Sequence, residues 1–400
     1  MLAFTFRLPT TLVFGPGRLS ELETTPFLPQ GRQAMLVIGA SGNILRQGYL
    51  GRVQGLLAAR GVKSVVFDGV RANPRTEDVD AAAAQARALG VDFIVGIGGG
   101  SVIDTAKCLA LAASGDGPFW DNMTGQKYDG ARGLPVVAIP TTAGTGTEGN
   151  AVAVLCGPEG KRGFVHPAFY PVLSVVDPEL TRSVPQRLTA ITGMDAFFHA
   201  AECFLSTARQ PMSDMLCLEA AHLVTRFLPA AVDNGGDLGA RTALSWASTA
   251  AGMCLSLSSP ISQHALEYSF SGSNPEAQHG AGLVLLCRSY FARLIQLARH
   301  NEETSDRLLN LAVAMGFGAG EDGGEDGGED GHPFLNALEA LLAAVGLADL
   351  RPEELGFSAS AAPQYVEAAM KLSDSRQFQN TPVAMGEADV RAIFEGVFTG

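Results

Sequence analysis

The chain has 400 residues, 46% of them hydrophobic and 17% charged, a composition that fits a packed globular protein and excludes a disordered one. Its length exceeds what one ordinary core supports, so two domains are expected. A net charge of −13 weighs against nucleic acid or an anionic membrane as main partner, although local helix N-termini can still bind an anionic cofactor.

In chain order, Ala34–Ile38 reads as a strand, followed by Gly39-Ala40-Ser41-Gly42 and a helix to about Ala59. Ser64–Phe67 is a second strand and Thr76–Leu89 an alanine-rich helix. The apolar run from Val91 ends in Gly98, Gly99, Gly100 and Ser101, and helical residues follow. Consecutive glycines let backbone approach a bulky anion, and Ser101 is the expected N-cap of a helix aiming free N–H groups at it. A phosphate or pyrophosphate suits such a turn. The stretch matches neither G-x-G-x-x-G nor G-x-x-x-x-G-K-[ST], and an ordinary glycine-rich βα turn is the plainer alternative.

Leu134–Ile139 is a further strand, leading into Pro140-Thr141-Thr142-Ala143-Gly144-Thr145-Gly146-Thr147-Glu148, a loop rich in hydroxyl and amide donors. Leu173–Val176 is another strand. This βαβα alternation predicts a doubly wound, Rossmann-like parallel sheet that binds ligands beyond the carboxyl ends of its strands. Past the prolines at 178 and 185 strand signals vanish, and helical periodicity marks 188–207, 211–231, 239–257, 281–300, 303–316, 334–346, 361–372 and 386–397. The predicted organisation is therefore an α/β domain over 1–183 and an all-α domain over 184–400. The acidic, glycine-rich segment at 319–331 reads as a surface loop; calcium binding is the sharper alternative, although its spacing matches neither the EF-hand loop nor the nine-residue glycine-aspartate repeat.

The helical half holds the other chemistry. Asp195 and His199 stand four apart on an otherwise apolar helix and so share one face. His264 follows Ser-Pro-Ile-Ser-Gln, and His279 follows a Gly/Asn/Pro turn at 272–275. Three imidazoles and a carboxylate suffice for a divalent metal, whereas a capping aspartate beside a satisfied histidine is the plainer reading of the first pair. The other histidines (His166, His222, His300, His332) read as surface or loop residues. The six cysteines (Cys108, Cys156, Cys203, Cys217, Cys254, Cys287) have no C-x-x-C spacing, which points to free thiols in a reducing cytoplasm. The N-terminus lacks a signal-peptide pattern, and no apolar run approaches the ~18 residues of a membrane span.

Taken together, Gly98–Lys107 (GGGSVIDTAK), Pro140–Glu148 (PTTAGTGTE), Val176–Thr181 (VDPELT), Gly193–His199 (GMDAFFH) and His279-Gly280 resemble the iron-containing (group III) alcohol dehydrogenases in order and spacing, across nearly the whole chain. The resemblance implies a dehydroquinate synthase-like fold, with NAD or NADP and a divalent metal in a cleft between the domains. It implies Asp195, His199, His264 and His279 as metal ligands, with Fe(II) the namesake metal and Zn(II) compatible with the same donors. Gly98, Gly99, Gly100 and Ser101 would hold the pyrophosphate, and Asp104, Thr141, Thr142, Thr145 and Lys161 would line the nicotinamide side. Many relatives carry a relay histidine four residues after the third ligand; here that place is Tyr268, whose phenol is the candidate proton relay beside His264. Many NAD-preferring relatives also carry an aspartate after the first strand. Gly39 and Ser41 stand there instead, which removes a repulsion against the 2′-phosphate of NADP.

The expected reaction is reversible hydride transfer between a nicotinamide and a small primary alcohol or aldehyde, by a cytoplasmic homodimer that binds neither nucleic acid nor membrane. A polyol dehydrogenase, a maleylacetate reductase-like enzyme, a cyclising synthase of the same fold and a non-catalytic nucleotide-binding protein are the alternatives. Phe14, Trp120, Phe164, Phe198, Cys254 and Phe270 are candidate pocket walls.

Overall fold

Six parallel strands form the central sheet in a computed structural model that describes residues 3–274, 276–317 and 332–399. Among the described residues the strands are β1 (Thr11–Phe14), β2 (Gln33–Gly39), β3 (Lys63–Val70), β4 (Phe93–Gly98), β5 (Val136–Pro140), β6 (Val152–Gly157), β7 (Gly160–Val165) and β8 (Leu173–Val176). The sheet runs β1-β8-β5-β4-β2-β3 with every pairing parallel, and β6 and β7 form a separate antiparallel hairpin. The acidic segment at 319–331 lies outside the described residues.

Strand periodicity divides the core into two layers. Met35 and Val37 of β2 pack with Ile94 of β4 and with Val102, Ala106 and Leu109 of the Gly100–Ala112 helix. Ala34, Leu36 and Ile38 face the opposite way, with Phe93, Val95 and Ile97, onto Leu50, Val53 and Leu57 of the Tyr49–Ala59 helix. Each fully buried aliphatic or aromatic side chain contributes about 1.5–3 kcal/mol over leaving it in water. Burial on both faces explains why β4 reads as a continuous apolar run. From β2 the chain proceeds to β3 on one side, then returns past β2 to β4 and continues outward the other way. The order therefore reverses between β2 and β4, where a doubly wound sheet opens a ligand crevice.

Strand β1 and the β6–β7 hairpin were not anticipated. β1 is only four residues long and every one is half-buried, too short for a periodic signal. The hairpin carries Lys161 and Arg162 in β7, and both of its strands contain glycine.

From Pro185 onward the described residues form helices and no strands, the principal ones being Gln186–Leu205, Pro211–Asp233, Leu238–Leu257, Ser262–Ser273, His279–Ala298, Glu302–Ala314, Pro333–Ala344, Ala362–Met370 and Glu387–Thr399. The two compact units divide between Val184 and Pro185, except that Gly236–Ser245 groups with the sheet and residues 3–6 group with the helices. There the buried Arg241 guanidinium donates to the Val184 carbonyl at 3.1 Å. Pro211–Asp233 and His279–Ala298 are long and apolar enough to cross a membrane by length and composition. Each instead packs along Gln186–Leu205 within the helical unit.

Candidate active site

The glycine turn sits at the carboxyl end of β4. Gly99 is the N-cap, in extended conformation, and the helix begins at Gly100. Ser101 is therefore inside the first turn and does not cap it with its side chain, contrary to the sequence expectation. Placing the cap two residues earlier leaves backbone rather than a hydroxyl at the helix mouth. The threonine loop after β5 lies directly alongside. Thr141 N–H donates to the Gly98 carbonyl at 2.9 Å. A Cβ on Gly99 would stand 3.1 Å from Thr142 Oγ1, and one on Gly100 would stand 2.5 Å from Thr145 Cγ2 and 2.8 Å from its Oγ1. Gly98 is equally confined, by Val102 at 2.6 Å. Two sequence motifs forty residues apart thus make one surface of backbone amides and hydroxyls. Gly39 ends β2 next to this turn, with Ile38 paired to Ile97, and Ser41 follows with no acid between.

Asp104 and Lys107, on the helix behind the turn, are both buried. Asp104 Oδ1 accepts from Thr147 Oγ1 at 2.6 Å and Oδ2 from Val154 N–H at 2.9 Å. Lys107 Nζ donates to Thr147 Oγ1 at 2.5 Å, to the carbonyls of Asn150 and Val152 at 3.1 and 2.8 Å, and to Asn150 Oδ1 at 3.2 Å. Burial pulls the Lys107 ammonium down to about 8 against the pull of Asp104. The same burial pushes the Asp104 carboxyl up, while Lys107, the Thr147 and Val154 donors and Lys161 on β7 oppose that rise. Both oxygens of Asp104 are committed within the protein, so its evident work is to fix the threonine loop.

In the helical unit, Asp195, His199 and Glu202 lie one and two turns apart on the same face of Gln186–Leu205. Asp195, His199 and His264 are buried and offer ligand atoms that all lie within 4.8 Å of one another. Asp195 Oδ1 stands 3.8 Å from His199 Nδ1, 3.9 Å from His264 Nε2 and 3.8 Å from His279 Nε2. The His199 and His264 rings stack at 4.6 Å, and the His264 and His279 rings tilt at 5.2 Å. Neither Asp195 Oδ1 nor His199 Nδ1 has a hydrogen-bond partner, though both atoms are buried. Such orphans cost a protein about 1–3 kcal/mol each, so a converging set of them calls for an occupant. A carboxylate with three imidazole nitrogens has the donor chemistry of a site for a divalent first-row metal. Burial lowers His199 to about 4, against the attraction of Asp195, which keeps the ring a neutral donor.

Two residues behind this set carried no role in the sequence reading. His264 Nδ1 lies 2.5 Å from Glu202 Oε1, and Glu202 Oε2 also accepts from Ile261 N–H at 2.9 Å. His279 Nδ1 is hydrogen-bonded to Glu267 Oε2. Their helical offsets, Glu202 three after His199 and Glu267 three after His264, are the signal that could have found them. Close helix approach completes the frame: a Cβ on Gly280 would meet the Ile191 carbonyl at 2.4 Å. Only a residue without a side chain lets the start of His279–Ala298 sit there.

Residues 9–178 match the model of the family described as iron-containing alcohol dehydrogenase, and residues 189–398 match the C-terminal model of the same family. The chain belongs to the iron-containing alcohol dehydrogenases. It is 33% identical to long-chain-alcohol dehydrogenase 1 of Geobacillus thermodenitrificans, across 92% of this chain and 91% of that one. It resembles the structure of an archaeal halo-thermophilic Red Sea brine pool alcohol dehydrogenase, at 30% identity and a TM-score of 0.86, with full coverage of both chains. It also resembles a sulfoacetaldehyde reductase from Bifidobacterium kashiwanohense solved in complex with NAD+, at 28% identity and a TM-score of 0.83, again over both whole chains. As an iron-containing alcohol dehydrogenase the protein is an oxidoreductase acting on CH–OH groups.

Most of the candidate pocket walls belong to this enzyme's core instead. Trp120 and Phe164 meet edge to face at 5.2 Å inside the sheet unit. Phe198 packs against Phe197 and Phe291, Phe270 stacks on Phe357 at 4.3 Å, and Cys254 is buried against the Ser213 carbonyl. Phe14 is half-buried in β1. His166 is buried, not a surface residue, with Nδ1 accepting from Ala168 N–H and Nε2 beside the Tyr128 carbonyl. His332 caps the Pro333–Ala344 helix by accepting from Phe334 N–H, while His222 and His300 are exposed.

Proposed function

We propose that this enzyme interconverts a small primary alcohol and its aldehyde, with NAD(H) as hydride carrier and Fe(II) held by Asp195, His199, His264 and His279. The supporting observation is Asp195 Oδ1, buried, without a hydrogen-bond donor, and 3.8 to 3.9 Å from a ring nitrogen of each of three histidines. Bound there, the metal supplies a Lewis acid for the substrate oxygen; Zn(II) suits the same donors.

The chain's own residues supply the rest. Gly99, Gly100 and Ser101 offer the N–H groups and dipole of a helix start to the pyrophosphate, and Gly98, the last residue of β4, brings the backbone close to it. Thr141, Thr142 and Thr145 offer hydroxyls beside that turn, held in place by Asp104 through Thr147, and Lys161 adds a positive charge on the hairpin. Gly39 and Ser41 bound the adenosine end, where the missing acid lets NADP serve as well as NAD. Tyr268, one turn past His264 and with its ring 5.9 Å from that of His279, carries the proton between substrate and solvent. A homodimer in a reducing cytoplasm completes the reading, in keeping with the burial of Cys108, Cys203, Cys217, Cys254 and Cys287 as thiols.

The test is an anaerobic screen of Fe(II)- and Zn(II)-loaded protein with NADH and NADPH against a panel of small aldehydes. Metal-dependent oxidation of a reduced nicotinamide by at least one aldehyde is expected; its absence throughout would overturn the reading.

A further inference from the structure

We infer that Glu267 is a positioning residue of the metal site, the link that fixes His279 relative to His264; the inference rests on the metal-ligand reading above. Glu267 lies on the Ser262–Ser273 helix, three residues past His264, with its side chain 1% exposed. Its Oε2 bonds His279 Nδ1 at the start of the next helix, across the turn that separates the two histidines. A carboxylate only accepts when ionised, so Nδ1 must carry the ring proton. That tautomer leaves the Nε2 lone pair, 3.8 Å from Asp195 Oδ1, for the metal.

The position of Glu267 is built into the packing of the two helices. A Cβ on Gly282 would stand 2.9 Å from both Cγ and Oε1 of Glu267. The missing side chain at position 282 is the space the glutamate occupies. His279 needs this support more than its neighbours do. Its side chain is 23% exposed, against 8% for His199 and 2% for His264, so apolar packing restrains it least. Glu202 does the corresponding work for His264 from another helix. Each glutamate thus ties one candidate ligand to a helix that bears another, Glu202 joining His264 to the helix of Asp195 and His199, and Glu267 joining His279 to the helix of His264.

The experiment measures metal affinity and geometry directly. Wild type, Glu267→Gln, Glu267→Ala, Gly282→Ala and Asp195→Asn are loaded with Co(II), the visible ligand-field spectrum is recorded, and metal loss to a competing chelator is followed. Glu267→Ala should weaken metal binding by about ten- to a hundredfold and alter the spectrum, as loss of an outer-shell partner does. Glu267→Gln, which keeps an acceptor without the charge, should fall between wild type and alanine. Gly282→Ala should reproduce part of the defect with the glutamate intact. Wild-type affinity and spectrum in Glu267→Ala, beside metal loss in Asp195→Asn, would overturn the role of Glu267 alone. Undiminished metal binding in Asp195→Asn would overturn the ligand reading on which it stands. Far-ultraviolet circular dichroism of each variant separates either result from failure to fold.

Discussion

The Lys107 ammonium donates to the Thr147 hydroxyl at 2.5 Å, and the same hydroxyl donates to Asp104 at 2.6 Å, so two buried opposite charges meet through one side chain. Removing one partner leaves the other charged in the interior. Lys107→Met is expected to destabilise the sheet unit by about 3–5 kcal/mol, the usual result of breaking a buried pair. Urea unfolding measures it, and a loss below about 1 kcal/mol would mean that the network is not held as an ionic one.

The glycine turn tests cofactor binding separately from metal binding. In Gly100→Ala the new methyl meets Thr145 at 2.5 Å. Overpacking of this kind costs about 1–3 kcal/mol, enough to raise the Kd for the nicotinamide about tenfold. Fluorescence titration with NADH should show the loss, while metal content stays at the wild-type value. An unchanged Kd would remove the turn from the cofactor site.

Gly39 offers a change of cofactor preference. A Cβ there would meet Val102 and the Val70 carbonyl at 3.7 Å, ordinary contacts, so a side chain fits. Gly39→Asp would place a carboxylate at the end of β2 and repel a 2′-phosphate. kcat/KM for NADPH should fall about tenfold or more relative to NADH, equivalent to about 1.4 kcal/mol. An equal fall for both cofactors would place the adenosine end elsewhere.

Metal removal should be felt in stability as well as activity. A ligand present at a thousand times its Kd stabilises the folded state by about 4 kcal/mol, so chelation is expected to lower Tm and re-addition to restore it. His264→Ala should abolish turnover and the metal-dependent part of Tm while retaining helical circular dichroism and NADH binding. Loss of NADH binding as well would assign His264 a different role.

Asp92 carries a pH signature in the sheet unit. Its carboxylate accepts from the N–H groups of Arg32 and Gln33 at 2.6 and 2.9 Å, which holds its carboxyl below the ordinary 3.8. For a depressed acid the contribution to stability is complete above the unfolded value and disappears as pH falls through the folded one. Asp92→Asn should therefore lower Tm at pH 6, and the gap from wild type should close as pH drops below 3.8. A gap that does not narrow as pH falls below 3.8 would point to a packing effect instead.

The parallel sheet was legible because β2, β4 and β5 are buried on both faces and therefore read as apolar runs. The pairing of Asp195 with His199 in the candidate metal site was legible because the two share a helix face with little polar company. Glu202 and Glu267 were passed over since each acts on a histidine of another helix: the three-residue offset places them beside a candidate ligand, but the partner each one bonds shows only in the packing. The aromatic candidates failed for the converse reason: Phe198 and Phe270 are apolar whether they line a pocket or fill a core, and only packing tells these apart. The hairpin at β6–β7 was invisible because its strands pair with each other, outside the main sheet, and carry charged and glycine residues.

Beside the candidate metal ligand His279, Gly280 turns a hydrogen atom to the Ile191 carbonyl, which a Cβ would meet at 2.4 Å. Mutational tolerance around the site must therefore be uneven. Surface positions of the same helix can drift through many residue types, whereas position 280 admits no side chain without spreading the two helices that carry His279 and Asp195. In a deep mutational scan scored by metal retention, that glycine should rank with the ligands themselves, although it offers the metal no donor at all.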